Sequence, residues 1–145
     1  MSRIPILNLT EERFRPYGCI ISHQFANPTG RDWQVVAKTE STGWCIGILE
    51  LKRDVCPYLE RHLDSRETHE PVSGVCVLLT ALPECPEQCE AFLLDQPVCL
   101  HEKVWHQVMA ISETAVVKVI ENLSVPPESS ENYSFSQPVR LELCL

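Results

Sequence analysis

No apolar run in the chain approaches the roughly 18 consecutive residues a membrane-spanning helix needs, so no helical span is expected. No cluster of Lys and Arg occurs either. With a net charge of −8 and a pI of about 5.1, nucleic-acid binding is not expected, because the phosphate backbone demands a basic face. No long segment keeps the helical period, which argues against a helical bundle. The G-x-S-x-G elbow, the phosphate-binding P-loop and G-x-G-x-x-G are all missing, and the hydrolase, nucleotidase and dinucleotide readings weaken with them. There is no internal repeat and no linker, so residues 1–145 read as a single domain. The opening Met1–Leu9 has one basic residue and a Pro-broken apolar stretch, unlike a signal peptide, and a cytoplasmic location is the corresponding expectation.

What the chain does have is many short strand-like runs. Val75 to Leu82 is apolar apart from Thr80 and reads as a central strand buried on both faces. One of those faces must be covered by a second sheet, a helix or a partner subunit, and a homodimer is the economical expectation. Gly74 is the turn that leads into it. Further strands are expected at Ile4–Leu9, Cys19–Ile21, Trp33–Ala37, Trp44–Leu51, Tyr58–His62, Glu67–Val72, Cys89–Leu94, Pro97–His101, Val104–Ile111, Ala115–Ile120, Tyr133–Phe135 and Val139–Leu143. Gly47 is expected to mark a bulge or a close approach. Loops are expected at Ala26–Arg31 and Ser124–Ser130. Thr10 is a candidate N-cap for one short helix stopped by Pro16. The pattern is that of an all-β sandwich or barrel.

Eight cysteines are present. Without a secretion signal they read as reduced thiols serving as small core residues. Cys85 and Cys89 are spaced C-x3-C with no second pair, which falls short of the four ligands of structural zinc.

The chemistry-bearing residues concentrate in two places. His62, Glu67 and His69 lie in the polar stretch before Gly74, and His101 and His106 lie in H-E-K-V-W-H. Strand alternation puts Glu67 and His69 on one face, and His106 on the inward face with Val104 and Val108. Convergence of His62, Glu67, His69 and His106 in a barrel mouth would make a ligand set for a divalent transition metal. The plainer reading has His62 and His69 solvated, His106 as a hydrogen-bonded core histidine, and Glu60, Arg61 and Glu67 as a surface ion-pair network. His23 reads as structural or exposed. An anionic substrate would need local cations, for which Arg61, Arg66 and Lys103 are the candidates.

Three segments carry a family resemblance: Arg13–Gly18 (R-F-R-P-Y-G), Leu59–His62 with Gly74 beyond it, and His101–His106 ending in K-V-W-H. Together, in this order, they resemble the ureidoglycolate lyase family. The resemblance implies a cupin fold, a double-stranded β-barrel (jelly roll) with one short N-terminal helix, usually a homodimer. It implies a small anionic metabolite as partner and a lyase reaction that cleaves ureidoglycolate to glyoxylate and urea. Under it, His106, His62 and Arg61 are the catalytic candidates, and Arg61, Lys103, Glu60 and Trp105 the substrate contacts. Glu67-Thr68-His69 is richer in metal-ligand residues than such lyases, and the His-x-His of metal-binding cupins is absent. A metal-dependent cupin acting on another small substrate, or a non-catalytic ligand-binding cupin, are the other readings.

Overall fold

A computed structural model describes residues 3–22, 34–52 and 55–142. His23, Trp33 and the expected loop at Ala26–Arg31 lie outside the described residues, as does Cys144. Eleven strands are described: β1 (Arg3–Leu7), β2 (Gly18–Ile20), β3 (Trp44–Lys52), β4 (Cys56–His62), β5 (Thr68–Ser73), β6 (Cys76–Ala81), β7 (Glu90–Leu93), β8 (Val98–Leu100), β9 (Trp105–Ala110), β10 (Thr114–Asn122) and β11 (Ser130–Glu142). One short helix, α1 (Glu11–Phe14), follows β1. Its N-cap is Thr10, whose hydroxyl accepts from the Arg13 amide at 3.4 Å, with Glu11 and Glu12 in the first turn.

The strands form a closed barrel in the order β1-β11-β4-β9-β6-β7 and a five-stranded sheet in the order β2-β8-β5-β10-β3. The short β1 closes the barrel by pairing in parallel with β11 on one side and β7 on the other. This is the expected all-β barrel with one short N-terminal helix.

Alternation divides the interior in two. One cluster takes Leu59, Val77, Leu79, Ala91, Met109 and Val139 from the barrel strands and fills the barrel. The other takes Leu78, Phe92 and Val108 from the barrel's outer flank and Val98, Val117 and Val119 from the five-stranded sheet, and it binds the two layers together. Phe14 caps this second core edge-on to Phe92, with ring centroids 5.3 Å apart. β6 belongs to both cores, and every residue of Cys76–Ala81 is buried. Each buried aliphatic side chain there contributes roughly 1.5–3 kcal/mol of transfer free energy. The chain's own second sheet covers the face assigned above to a partner subunit, so β6 makes no demand for a second copy. Among the described residues no helix is long and apolar enough to cross a membrane.

Gly74 does make the turn before β6: its φ is +73°, and a Cβ there would collide with the Thr114 carbonyl oxygen. Other expectations need correcting. Residues 34–37 form no strand. The late strands are one strand, β11, whose pairing with β4 shifts between Ser134 and Val139, around Pro138. Gly47 marks neither a bulge nor a close approach, since it stays in register opposite Val119 and a Cβ would meet nothing within 4 Å. The bulge lies between Val116 and Val117, where β10 meets β5.

Candidate functional site

β4 and β5, consecutive in the chain, do not pair with each other. β4 enters the barrel and β5 enters the facing sheet. Their inward residues therefore confront one another across the gap between the layers. Glu60 and His62 of β4 and His106 of β9 look out from the barrel flank, and Glu60 is the cross-strand partner of His106. From the opposite side come Glu67, just ahead of β5, His69 of β5 and Glu121 of β10. All six line one cavity of about 370 Å³, with Gly47, Ile48 and Leu49 of β3 as a wall.

Glu67 is the centre of the cluster. Its Oε2 lies 2.5 Å from Nε2 of His106 and 3.4 Å from Nε2 of His62. His62 Nδ1 is 2.9 Å from the Ser130 hydroxyl. His106 Nδ1 is 3.0 Å from the Val104 carbonyl, which only accepts, so Nδ1 carries the hydrogen and Nε2 of the neutral ring offers a lone pair. Ligand atoms of His62, Glu67 and His106 all lie within 4.8 Å of one another. His69 is buried beside them, its ring centroid 5.5 Å from that of His106.

Four buried side-chain atoms among the described residues lack a hydrogen bond: Glu67 Oε2, His69 Nδ1, His106 Nε2 and Thr80 Oγ1. Three belong to this cluster, and Thr80 is the cross-strand neighbour of His106 on β6. Glu67 and His106 thus approach closely without hydrogen-bond alignment. Unpartnered buried polar atoms are costly, and here they converge on one point.

The Glu67 carboxylate organises the electrostatics of the cluster. Burial alone would raise the Glu67 carboxyl, yet the imidazoles of His106 and His62 hold it well below the usual carboxylate range. Contact with Glu67 raises His62 above the ordinary histidine value. For His106, burial opposes the charged form and the Glu67 carboxylate outweighs it, again raising the group. His69 is pushed down to about 4 by burial, the opposite direction from the other two imidazoles. Burial and the neighbouring Glu67 raise Glu121.

The other expected site residues are elsewhere. Arg61 and Trp105 project from the same strands to the opposite face. There the Arg61 guanidinium stacks 4.3 Å from the Trp105 ring centroid, and its Nε donates to Glu131 Oε2 at 2.8 Å. Trp105 Nε1 donates to the Pro83 carbonyl at 3.1 Å. Lys103 is exposed in the turn before β9, with φ of 69°. The expectation that Arg61 or Lys103 shares a cavity with His106 is therefore not met: strand alternation turns Arg61 away, and Lys103 sits before the strand begins. Among the described residues, no Lys or Arg lines the cavity.

Of the eight expected site residues, Glu60, His62, Glu67, His69 and His106 are brought together, while Arg61, Lys103 and Trp105 are not part of the group. Glu121 and Ser130 were missed. Glu121 had a legible signal, since it continues the inward parity of Ala115, Val117 and Val119. Cys85 and Cys89 join no ligand cluster among the described residues.

No family model matches the chain, and no curated protein matches it. Solved structures do. A dTDP sugar isomerase from Desulfovibrio desulfuricans aligns over 69% of this chain and 71% of its own, with 13% identity and a TM-score of 0.53. The dTDP-6-deoxy-D-glucose-3,5-epimerase of Legionella pneumophila aligns over 71% of this chain and 66% of its own, with 11% identity and a TM-score of 0.54. Identities this low speak to the fold, not to the reaction. The ureidoglycolate lyase resemblance finds no counterpart among these matches, whereas the wider one does: the chain has an all-β barrel fold of the cupin type.

Proposed function

We propose that the cavity between the two layers binds a divalent transition metal through His62, Glu67 and His106, and that the protein acts there on a small oxygen-rich metabolite. One observation carries the reading: three ligand atoms from two facing layers lie within 4.8 Å of each other in a cavity whose described lining has three carboxylates and no Lys or Arg. Two imidazoles and one carboxylate suit such an ion, and the Val104 and Ser130 contacts orient the imidazoles for it. Such an ion, when bound, supplies the positive charge that polarises a substrate oxygen.

The chain's own groups supply the rest. His69 and Glu121 line the same cavity outside the ligand set and are the groups placed to take up and return a proton. Glu60 and Gln107 offer hydrogen-bonding groups to a polar substrate. Ile48, Leu49, Val108 and Val119 wall the cavity with apolar side chains and limit its water. Within this reading, carbon–nitrogen cleavage of ureidoglycolate is the first reaction to test. The base removes the hydroxyl proton, the carbonyl forms, and an acid protonates the departing ureido nitrogen.

The position of Arg61 favours a second reading, a small-ligand-binding cupin without catalysis. Among the described residues of this cavity, a substrate carboxylate has no Arg or Lys to bind. The same lack disfavours a sugar nucleotide such as those of the structural neighbours, whose diphosphate calls for cationic side chains.

The deciding experiment is metal analysis of the purified protein, paired with urea release from ureidoglycolate before and after chelation. Stoichiometric metal with chelation-sensitive urea release supports the lyase. Metal without urea leaves a cupin with another substrate. Absence of metal, including after incubation with zinc, manganese or nickel salts, overturns the proposal.

A further inference from the structure

Away from the cavity, on the outer face of the five-stranded sheet, β2 and β8 place Cys19 directly opposite Cys99. It is the only pair of cysteines facing each other in strand register among the described residues. The Ile21 amide donates to the Pro97 carbonyl and the His101 amide to the Tyr17 carbonyl, each at 2.8 Å. These bonds flank the pair two residues away on either side, so Cys19 and Cys99 occupy a hydrogen-bonded pair position. Cα atoms there are about 5.5 Å apart, inside the roughly 4.4–6.8 Å span of disulfides.

Three further facts bear on the pair. Ile20, Val98 and Leu100 point into the core, so alternation turns both sulfurs to the outer face together. Gly18 lets β2 lie close on β8, because a Cβ there would collide with the Cys99 carbonyl oxygen. Cys99 is only 4% exposed, but Cys19 is half-buried and Cys99 borders an outer cavity of about 680 Å³ shared with Arg66. One thiol is thus reachable and the other is held behind it.

We infer that Cys19 and Cys99 form a reversible thiol–disulfide site, with Cys19 as the attacking thiol, Cys99 as the resolving thiol and small-molecule disulfides as its oxidants. The Cys19 thiolate attacks one sulfur of a disulfide RSSR. A mixed disulfide forms on Cys19, and RS⁻ leaves and takes up a proton. Cys99 then gives up its proton and its sulfur attacks Cys19 Sγ, expelling the second RS⁻. Two protein thiols are oxidised and one RSSR is reduced to two RSH. A dithiol reverses both steps.

The electrostatics assign the same roles. Contact with the Cys99 thiol, assisted by Arg66, lowers Cys19 to about 7, while that contact and burial raise Cys99. The other buried thiols, Cys56 and Cys76, are pushed up to about 11 by burial and stand opposite Val139 and Ala110. They serve as internal controls.

The test uses the full-length protein and glutathione disulfide. After oxidation, remaining thiols are alkylated and the digest is mapped by mass spectrometry. A Cys19–Cys99 cross-linked peptide is expected, with two thiols lost and both recovered by dithiothreitol. In Cys99→Ser the reaction should stop at a glutathione adduct on Cys19. The unmutated protein gives an independent readout: Cys19 should react with iodoacetamide at pH 7 about threefold faster than an unstructured cysteine peptide, its larger thiolate fraction being partly offset by weaker nucleophilicity. The inference is overturned if both thiols remain alkylatable, if the wild type stops at the adduct, or if the bridge joins another cysteine or a second chain. A Cys19 rate at or below that of the peptide overturns the assignment of the attacking thiol.

Discussion

Trp105 and His106 are neighbours on β9, and Arg61 and His62 are neighbours on β4, yet each pair serves two regions of different character. On one face, His62, His69 and His106 join Glu67 in a cluster in which Glu67 Oε2, His69 Nδ1 and His106 Nε2 lack hydrogen bonds. On the other, Arg61 and Trp105 join Glu131 and the Pro83 carbonyl, and each is satisfied within the chain. The second group behaves as structure. Its guanidinium is committed to Glu131 and the Pro83 carbonyl. The first stores unmet bonding capacity at buried atoms, as sites for ions and reactions do. The contrast shows that an inventory of charged residues does not locate a site. What separates the two faces is whether the groups already have partners.

The comparison breaks most sharply on metal affinity. Glu67→Gln should weaken binding of a divalent ion about 100-fold or more, given that even supporting residues cost 10–100-fold, while Arg61→Ala should leave it unchanged. Titration calorimetry on both variants measures this, and equal losses would mean the two faces form one site after all.

Stability gives the next largest contrast. In metal-free protein, His106→Leu removes the nearest imidazole from a buried carboxylate and should cost about 3–5 kcal/mol in urea unfolding. Arg61→Ala, at a partly exposed pair with Glu131 and one stacking contact, should cost about 1 kcal/mol.

Acid sharpens the cluster itself. His69 is held neutral to about pH 4, whereas the unfolded chain takes up that proton near 6.5. Its folded pKa is depressed, so its contribution is fully present above 6.5 and is lost as pH falls from 6.5 toward 4. Between pH 7 and pH 5 the metal-free protein should lose about 2 kcal/mol from this group. Glu121, whose raised pKa works in the opposite direction, is common to wild type and His69→Gln. The difference between their urea midpoints therefore isolates His69, and parallel pH profiles would show that His69 titrates normally.

The smallest structural effect is expected at Gly47→Ala. A methyl there meets nothing within 4 Å, so stability should stay within about 0.5 kcal/mol. Ligand affinity should fall, because the methyl enters the cavity wall.

Much was legible in the sequence because it rests on local rules. The apolar run of β6, the Thr10 cap, the Gly74 turn and the period-two alternation of Glu67 with His69 follow from neighbours a few residues apart. Alternation even separates Arg61 from His62, so their assignment to one cavity failed against a rule already in hand. Sequence did not reveal that β4 and β5 enter different layers, that the late strands merge into β11, or that Glu121 reaches the histidines. These depend on which distant strands pair and in what register. Side-chain direction is set residue by residue, whereas barrel closure is set by the burial of both cores at once. The sequence by itself determined an all-β chain with its ligand-type residues on inward positions. Only the tertiary structure decided which of them meet, because layer-on-layer packing brings Glu67 from one sheet against His62 and His106 from the other.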